Sequence, residues 1–226
     1  TSSCPDKDFV FGGTIVSNGD VGLNGRTEAQ RLNMTGTTHG SIENINGEWY
    51  VFYHRLTHKS DYSRQACAEK ISILPDGSIP QVEITSCGLN GGALTAQGTY
   101  PAVIACNITN GNMPHGSNKI YTESFPNVNN EGDQRFIAEI ADGTLIGFKY
   151  FDFQGNTTLQ ITYKGDADGI FEVYQQTDKA CLGTLQIKPS KEWSSTKGNI
   201  PFENGISPLF LIFRGKGQIS CKEISF

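Results

Sequence analysis

Asn-Gly and Asp-Gly dipeptides recur along the whole chain, and they constrain its fold more than any other feature. Asn, Asp and Gly accept the positive φ angles of tight hairpin turns, so each dipeptide predicts a turn between two strands. Short β-branched and aromatic segments lie between the dipeptides, whereas helical periodicity is limited to a hint at 28–32. The sequence therefore predicts an all-β sandwich, barrel or propeller. The dipeptides include Asn18-Gly19, Asn46-Gly47, Asp76-Gly77, Asn110-Gly111, Asp142-Gly143, Asp168-Gly169 and Asn204-Gly205.

The dipeptide Asn46-Gly47 lies inside the most informative segment, 39–55. If these two residues form a type I′ turn, the residue numbers of opposing partners sum to 93. Both faces of the resulting hairpin are largely apolar, which predicts an interior hairpin with two histidines at its open end. The predicted opposing pairs are Ile42 with Val51, Asn44 with Trp49, and His39 with His54.

Charge and hydropathy exclude several classes of partner. The 226 residues carry 18 Lys+Arg against 23 Asp+Glu, a formal net charge of -5, without any basic run. Such a chain lacks the electrostatic pattern that binds nucleic acid or an anionic membrane surface. Its longest apolar stretch, near 209–213, is too short to span a bilayer.

The six cysteines do not form a metal or redox motif. None of them belongs to a C-x-x-C pair, which argues against zinc and thioredoxin-like chemistry. Buried free thiols and disulfides both remain open from the sequence. Cys67 could face Cys87 across the turn at 76–77, and Cys181 with Cys221 is the preferred bridge if one exists.

A polar run rich in Gly and Asn at 107–119 predicts a boundary between two parts. Residues 1–106 form the first part. Residues 107–226 contain enough strand-like segments for one jelly-roll sandwich.

The first part resembles the terminal blades of the five-bladed β-propeller of glycoside hydrolase family 43. The second part is similar to a family 6 carbohydrate-binding module. The resemblance therefore implies a partial β-propeller followed by a β-sandwich jelly roll. The matching segments in the first part are 6–9, 12–20, 38–42, 49–55, 63–69 and 81–88, and those in the second are Tyr121-Thr122-Glu123, 146–153, Trp193 and 224–226.

The resemblance also implies that the catalytic groups lie elsewhere. Family 43 enzymes are inverting hydrolases that use a carboxylate base, a second Asp that tunes it, and a Glu acid. None of the three can be assigned to a residue of this chain, so we predict no catalytic residue here and no hydrolysis by the chain alone. The chain starts at Thr1 rather than Met, which predicts either a removed signal peptide or a piece of a longer protein that continues toward the N-terminus.

Two residues of the first part take roles from the resemblance. His39 matches a histidine that points into the propeller channel and holds a metal ion or its water shell. Arg55 matches an arginine that reaches the substrate pocket, where its guanidinium can hold sugar hydroxyls or a carboxylate. The alternatives are histidines bound to backbone carbonyls at a strand end, and an arginine at the rim paired with a surface acid.

Sugar binding in the second part requires an exposed aromatic ring, because pyranose C–H faces stack on π-faces. Trp193 lies in a polar stretch and is the first choice for this platform, followed by Tyr150. By resemblance, Glu139 occupies the position of a partner tyrosine of the module, and its late asparagine falls near 218–220.

A calcium ion is also implied by resemblance. Glu123 matches a calcium ligand of the module, and Ca²⁺ prefers several carboxylate and carbonyl oxygens. The usual C-terminal Asp partner is replaced by Lys222, with Glu223 as a neighbouring alternative.

These observations predict the C-terminal portion of a secreted hydrolase of plant cell-wall xylan or arabinoxylan, of the β-xylosidase or α-L-arabinofuranosidase type. Its expected partners are a xylo- or arabino-oligosaccharide and the N-terminal part of the propeller. The alternatives are a non-catalytic carbohydrate-binding protein, and a structural sandwich that only supports the propeller.

Overall fold

The computed structural model describes residues 1–36, 38–116, 123–155 and 157–226. Within these ranges the chain is built from strands, joined by loops that include short 3₁₀ turns. None of the described helical segments is long and apolar enough to cross a membrane. The 3₁₀ turns are Leu23–Gly25, Glu28–Gln30, Gly88–Asn90 and Ala102–Ile104.

The first part contains a three-stranded antiparallel sheet, here called the blade. Its strands are β1 (Ser41–Ile45), β2 (Glu48–Thr57) and β3 (Ser60–Ile71), in the order β1-β2-β3. The register of β1 on β2 pairs Ile42 with Val51 and Asn44 with Trp49, as predicted. The turn between them has φ of 52° at Asn46 and 89° at Gly47, so the type I′ signal fixed the register.

The prediction of an interior hairpin is correct for β2 and wrong for β1. Residues 50–57 of β2 are mostly buried, whereas every residue of β1 is exposed or half-buried. Trp49, at the start of β2, keeps 40% of its surface exposed. The physical reason is topological: β1 is the edge of the blade, and no described strand pairs with its outer side.

Two six-stranded sheets form the second part, here called the sandwich. One has the order β13-β10-β15-β8-β7 with β5 also on β15, and the other has the order β12-β11-β14-β9-β4 with β6 also on β9. The strands are β4 (Leu94–Thr95), β5 (Thr99–Pro101), β6 (Asn107–Thr109), β7 (Asn127–Glu131), β8 (Gln134–Ile140), β9 (Leu145–Phe153), β10 (Thr157–Gly165), β11 (Asp168–Tyr174), β12 (Gly183–Ile187), β13 (Ser190–Ile200), β14 (Gly205–Lys216) and β15 (Ile219–Ser225).

Alternating apolar residues of both sheets fill the space between them. On β9, Phe151 and Phe153 are fully buried, and Phe151 contacts Tyr100 and Phe226 with ring centroids 5.2 and 4.8 Å apart. Facing rings of this kind dominate the energetics of a sandwich core. The fold class predicted from the sequence, all-β with a sandwich in the second half, is thus observed.

Strands β4 and β5 belong to the sandwich although they precede the boundary predicted at 106/107. β4 pairs with β9 and β5 pairs with β15, so two short strands of the sandwich come before the polar run at 107–119. The division into 1–106 and 107–226 stays a prediction.

All six cysteines are free thiols, so the two bridges considered from the sequence do not form. Cys221 is fully buried in the sandwich core, where burial raises the pKa of its thiol to about 12. Cys181 is exposed and donates to the carbonyl of Gly183 at 3.1 Å. A thiol that points into the core cannot meet one on the surface, and the sequence pattern could not reveal this difference in direction.

Candidate functional site

A groove of about 760 Å³ opens at one end of the sandwich. Because β10 and β11, β12 and β13, and β14 and β15 lie in different sheets, the loops that join them cross between the sheets and meet at this end. The groove is lined by Asn129, Ala138, Glu139, Lys164, Gly165, Asp166, Pro189, Ser190, Lys191, Gln218, Ile219 and Ser220. Its lining combines charged, amide and hydroxyl groups with little aromatic surface.

Glu139 is the most constrained side chain of this groove. Its backbone is left-handed, with φ of 57°, a conformation that non-glycine residues rarely adopt. Its carboxylate accepts hydrogen bonds from Lys59, Ser124 and Asn127 at 2.9 to 3.1 Å. The position that the resemblance assigns to a tyrosine of the module is therefore a fixed carboxylate on the groove wall.

Gln218 lies across the groove in the β14–β15 loop, at the position that the resemblance gave to an asparagine. Its backbone N–H donates to Asp166 Oδ1 at 2.8 Å, and its side-chain Nε2 donates to Ser124 Oγ at 3.1 Å. Residues 218–220 and Glu139 thus meet in one groove, although they are far apart in the sequence.

Trp193 lies beside the groove rather than in its lining. It is half-buried on β13, with its ring edge-to-face on Phe136 at 5.5 Å. Lys164 and Lys222 hold their ammonium groups 4.8 and 5.5 Å from its centroid. Since Lys164 also lines the groove, it connects the tryptophan to that site. The assignment of Trp193 as a sugar platform stays a prediction.

Arg55 is buried between the blade and the segment that enters the sandwich. Only 8% of its surface is exposed, and its guanidinium donates to the carbonyls of Val103 and Ala105 and to Gln65 Oε1. Val103 and Ala105 lie between β5 and β6, in residues 102–106, here called the connecting segment, so the guanidinium ties β2 to the start of the sandwich. Its predicted role in substrate binding stays a prediction.

Tyr150 belongs to a cluster of charged groups between the two parts. Its hydroxyl donates to Glu83 Oε2 at 2.5 Å, and burial together with Glu83 raises the pKa of this phenol. Lys149, its neighbour on β9, lies 2.6 Å from Glu83 Oε1 and 3.6 Å from Asp20 Oδ2. Burial raises the pKa of Asp20, although the Ile84 N–H and the Lys149 charge oppose this shift. The cluster joins the N-terminal loops to the sandwich, and the sequence analysis did not identify it.

The two histidines at the open end of the blade are neighbours, as the register predicts. The rings of His39 and His54 meet edge-on with centroids 4.6 Å apart. His39 is exposed, and His54 accepts a hydrogen bond from Asn18 Nδ2 through its carbonyl at 3.0 Å. The metal role predicted for His39 stays a prediction.

The residues predicted to hold calcium are only partly described. Glu123 is exposed, and Tyr121 and Thr122 lie outside the described residues. Lys222 points its ammonium group toward Trp193 and lies 3.7 Å from Glu223. Within the described ranges, no three His, Cys, Asp or Glu side chains are grouped as ligands for a metal ion. The calcium ion implied by resemblance stays a prediction.

A second cavity, of about 310 Å³, separates the blade from the connecting segment. It is lined by Tyr53 and Cys67 of the blade and by Cys106 of the connection, among others. Next to it lies the carboxylate of Glu69, which is 4% exposed and accepts hydrogen bonds from Tyr53 Oη at 3.0 Å and from Thr85 N and Oγ1 at 2.7 and 2.6 Å. Burial outweighs these three donors and raises the pKa of Glu69 from 4.5 to about 7.

The raised pKa of Glu69 predicts a pH-dependent stability. Because the folded chain binds the proton more tightly than the unfolded chain, this contribution is complete below pH 4.5 and is lost as the pH rises through about 7. The free energy of unfolding should fall by up to roughly 3 kcal/mol between about pH 5 and pH 8. The Glu69→Gln variant should lose most of this slope in urea denaturation measured across the same range.

The matched control is Glu48→Gln, on the same sheet, where the carboxylate is 53% exposed and pairs with Lys70. It should keep the slope of the wild-type chain. Parallel pH profiles for Glu69→Gln and the wild-type chain would contradict the assigned pKa.

Comparison with known proteins supports the fold and its family resemblance. The chain is 40% identical over 239 aligned positions to a xylosidase/arabinosidase of Thermoclostridium stercorarium, in a match that covers 100% of this chain and 50% of that protein. The chain thus spans about half the length of this curated relative. No protein-family model matches it.

Solved structures are similar to the chain at lower identity. A glycoside hydrolase family 43 arabinoxylan arabinofuranohydrolase from Bacillus subtilis, in complex with cellotetraose, has a TM-score of 0.55 and 18% identity; the match covers 100% of this chain and 46% of that one. A family 6 carbohydrate-binding module has a TM-score of 0.48 and 19% identity, over 59% of this chain and 95% of that one.

These findings define an all-β chain that combines propeller-type and sandwich-type parts. The chain is thus similar along its whole length to about half of a xylosidase/arabinosidase, and it shares its fold with part of a family 43 arabinoxylan arabinofuranohydrolase.

Proposed function

We propose that this chain is the C-terminal portion of a glycoside hydrolase that acts on xylan or arabinoxylan, as an inverting β-xylosidase or α-L-arabinofuranosidase, and that its sandwich binds carbohydrate. The observation that carries the proposal is the 40% identity along the whole chain to a protein named xylosidase/arabinosidase. Substrates of this kind are polymers of the plant cell wall, so the enzyme acts outside the cell and is secreted.

The N-terminal propeller part is the proposed protein partner of the blade. Support comes from the exposed edge strand β1 and from the run Phe9, Val10 and Phe11, whose side chains are 69%, 68% and 83% exposed. An unpaired strand edge and a run of exposed apolar residues are both features of a surface that another element covers. His39 would then face the propeller channel, where it could hold a metal ion or its water shell.

The groove and Trp193 are the proposed carbohydrate site. Amide and hydroxyl groups of the groove and the carboxylate of Asp166 can hydrogen-bond sugar hydroxyls, and the tryptophan ring beside the groove offers an aromatic face. The ammonium group of Lys164 near this ring is held by the carboxylate of Glu131 at 2.6 and 2.8 Å, so it adds a fixed donor beside the ring.

Replacing Trp193 by alanine tests this assignment. We expect the wild-type chain to bind xylotetraose in isothermal titration, and Trp193→Ala to weaken this binding by at least about tenfold, because the stacking surface is lost. The matched control is Tyr62→Ala, which removes an aromatic ring that is 80% exposed on the blade; its affinity should equal that of the wild-type chain.

Two other outcomes would favour different functions. Unchanged binding in Trp193→Ala would remove this residue from the site and leave a carbohydrate-binding protein with another platform. No binding by the wild-type chain would favour a structural sandwich that supports the propeller, a role for which the buried contacts of Lys149 and Arg55 across the two parts are suited.

A further inference from the structure

The turn between β2 and β3 of the blade docks on the sandwich. Its two central residues, His58 and Lys59, have φ of 55° and 48° and project the turn beyond the blade. The backbone N–H of His58 donates to the carbonyl of Val128 at 2.7 Å, and its imidazole hydrogen-bonds the side chain of Asn130. The turn therefore rests on β7, next to the groove.

Lys59 extends this contact to the groove wall. Its ammonium group lies 3.0 and 3.1 Å from the two carboxylate oxygens of Glu139, and 5.1 Å from the ring centroid of Phe125. Both charged side chains are largely removed from water, with 19% and 28% of their surface exposed. An ion pair that is largely shielded from water is stronger than one on an open surface.

The carboxylate of Glu139 is fully occupied. Each oxygen accepts from Lys59, and one accepts in addition from Asn127 Nδ2 and the other from Ser124 Oγ. A carboxylate offers about four lone-pair directions. Glu139 therefore has little capacity left for a ligand and acts instead on the groups that it orients.

Ser124 carries this orientation to Gln218. Its hydroxyl donates to Glu139 and accepts from the side-chain amide of Gln218 at 3.1 Å. Gln218 is exposed and lines the groove, and its amide retains an acceptor oxygen and a second N–H. One donor and one acceptor held in a plane suit a pair of neighbouring hydroxyls on an uncharged sugar.

We propose that Lys59 of the blade is a positioning residue of the carbohydrate groove: through Glu139 and Ser124 it fixes the amide of Gln218 that binds the saccharide. This inference rests on the proposed carbohydrate binding. The groove is then a site built by both parts of the chain, and blade docking and saccharide binding stabilise each other.

The test is isothermal titration with xylotetraose. Gln218→Ala should weaken binding by about tenfold, because a direct contact is lost. Lys59→Met should weaken it by about fivefold, Lys59→Arg should restore most of the affinity, and the double variant Lys59→Met/Gln218→Ala should bind no more weakly than Gln218→Ala alone. That non-additivity separates positioning from a general loss of stability.

Two controls complete the design. Lys70→Met breaks an exposed ion pair with Glu48 at the other end of the blade and should bind as the wild-type chain does. Ser124→Ala removes the link between Glu139 and Gln218 from the sandwich side, at an exposed residue. It should weaken xylotetraose binding about as much as Lys59→Met does. Because it leaves Lys59 in place, this loss of affinity cannot come from a loosened blade.

The outcomes separate this inference from the proposed function. One result would overturn the positioning role alone: the wild-type chain binds xylotetraose, but Lys59→Met and Ser124→Ala bind it with the wild-type affinity. Additive losses of affinity in the double variant Lys59→Met/Gln218→Ala would do the same. The absence of binding by the wild-type chain would overturn carbohydrate binding and the positioning role together.

Discussion

Replacing Lys149 by methionine is expected to lower the free energy of unfolding by about 3–5 kcal/mol, because it leaves two carboxylates without their buried cation. The Lys149 side chain is 7% exposed, and it lies between Glu83 and Asp20, which reach it from loops before the sandwich. Urea denaturation measures the loss, and its fluorescence readout in Trp193→Phe and Trp49→Phe backgrounds reports the blade and the sandwich separately.

The matched control for Lys149→Met is Lys188→Met. Lys188 pairs with Asp168 at 3.0 Å on the surface of the sandwich, where both side chains are more than half exposed, so its removal should cost less than about 1 kcal/mol. Adding Asp20→Asn to Lys149→Met should recover part of the loss, since one stranded charge is removed. Equal effects of the two lysine substitutions would contradict the buried cluster.

Replacing Phe151 by alanine is expected to cost about 3–5 kcal/mol through the cavity that it leaves in the sandwich core. The ring is fully buried and touches Tyr100, Phe153 and Phe226. Because these neighbours come from β5, β9 and the C-terminus, they are fixed by different elements and cannot easily close the gap. The measurement is the midpoint and slope of the same denaturation curve.

Ile206→Ala is the control for the core substitution. Ile206 is on β14, which pairs directly with β9, but 67% of its surface is exposed. Its truncation should stay within about 0.5 kcal/mol of the wild-type chain. A loss for Phe151→Ala as small as this would mean that the core is much less tightly packed than described.

Local signals in the sequence predicted the blade hairpin well. The turn at Asn46 and Gly47 has few backbone solutions, so it determined the register of β1 on β2 and the meeting of His39 with His54. The exposure of β1 did not follow from the same residues, because an apolar face only shows that a strand can be buried. Whether another element covers it depends on the remaining topology.

The charged groups between the two parts could not be predicted from the sequence. Lys149 lies within the apolar run 148–153, and its partners Glu83 and Asp20 are distant in the chain. Glu69 likewise lies within β3, and the residues around it in the sequence give no sign that its carboxylate is buried. Partners of buried charges are chosen by tertiary packing, which residue periodicity does not encode.

The candidate groove is an intermediate case. Family resemblance pointed to Glu139 and to residues 218–220, and the structure brings them together at one end of the sandwich. The ion pair from Lys59 was not foreseen, because it joins residues 80 positions apart and belongs to the docking of one part on the other. Trp193 was chosen for its polar surroundings, which suggested an exposed ring; in the structure it is half-buried, and its role as a sugar platform stays a prediction.

Isothermal titration of the wild-type chain with xylotetraose at about pH 7 tests the central claim most directly. We expect saturable binding at one site per chain, with a Kd between about 10 μM and 1 mM, because the groove is open to solvent and has a single aromatic ring beside it. A titration without heat change at several times this ligand concentration, confirmed by unaltered thermal stability in the presence of the ligand, would contradict it.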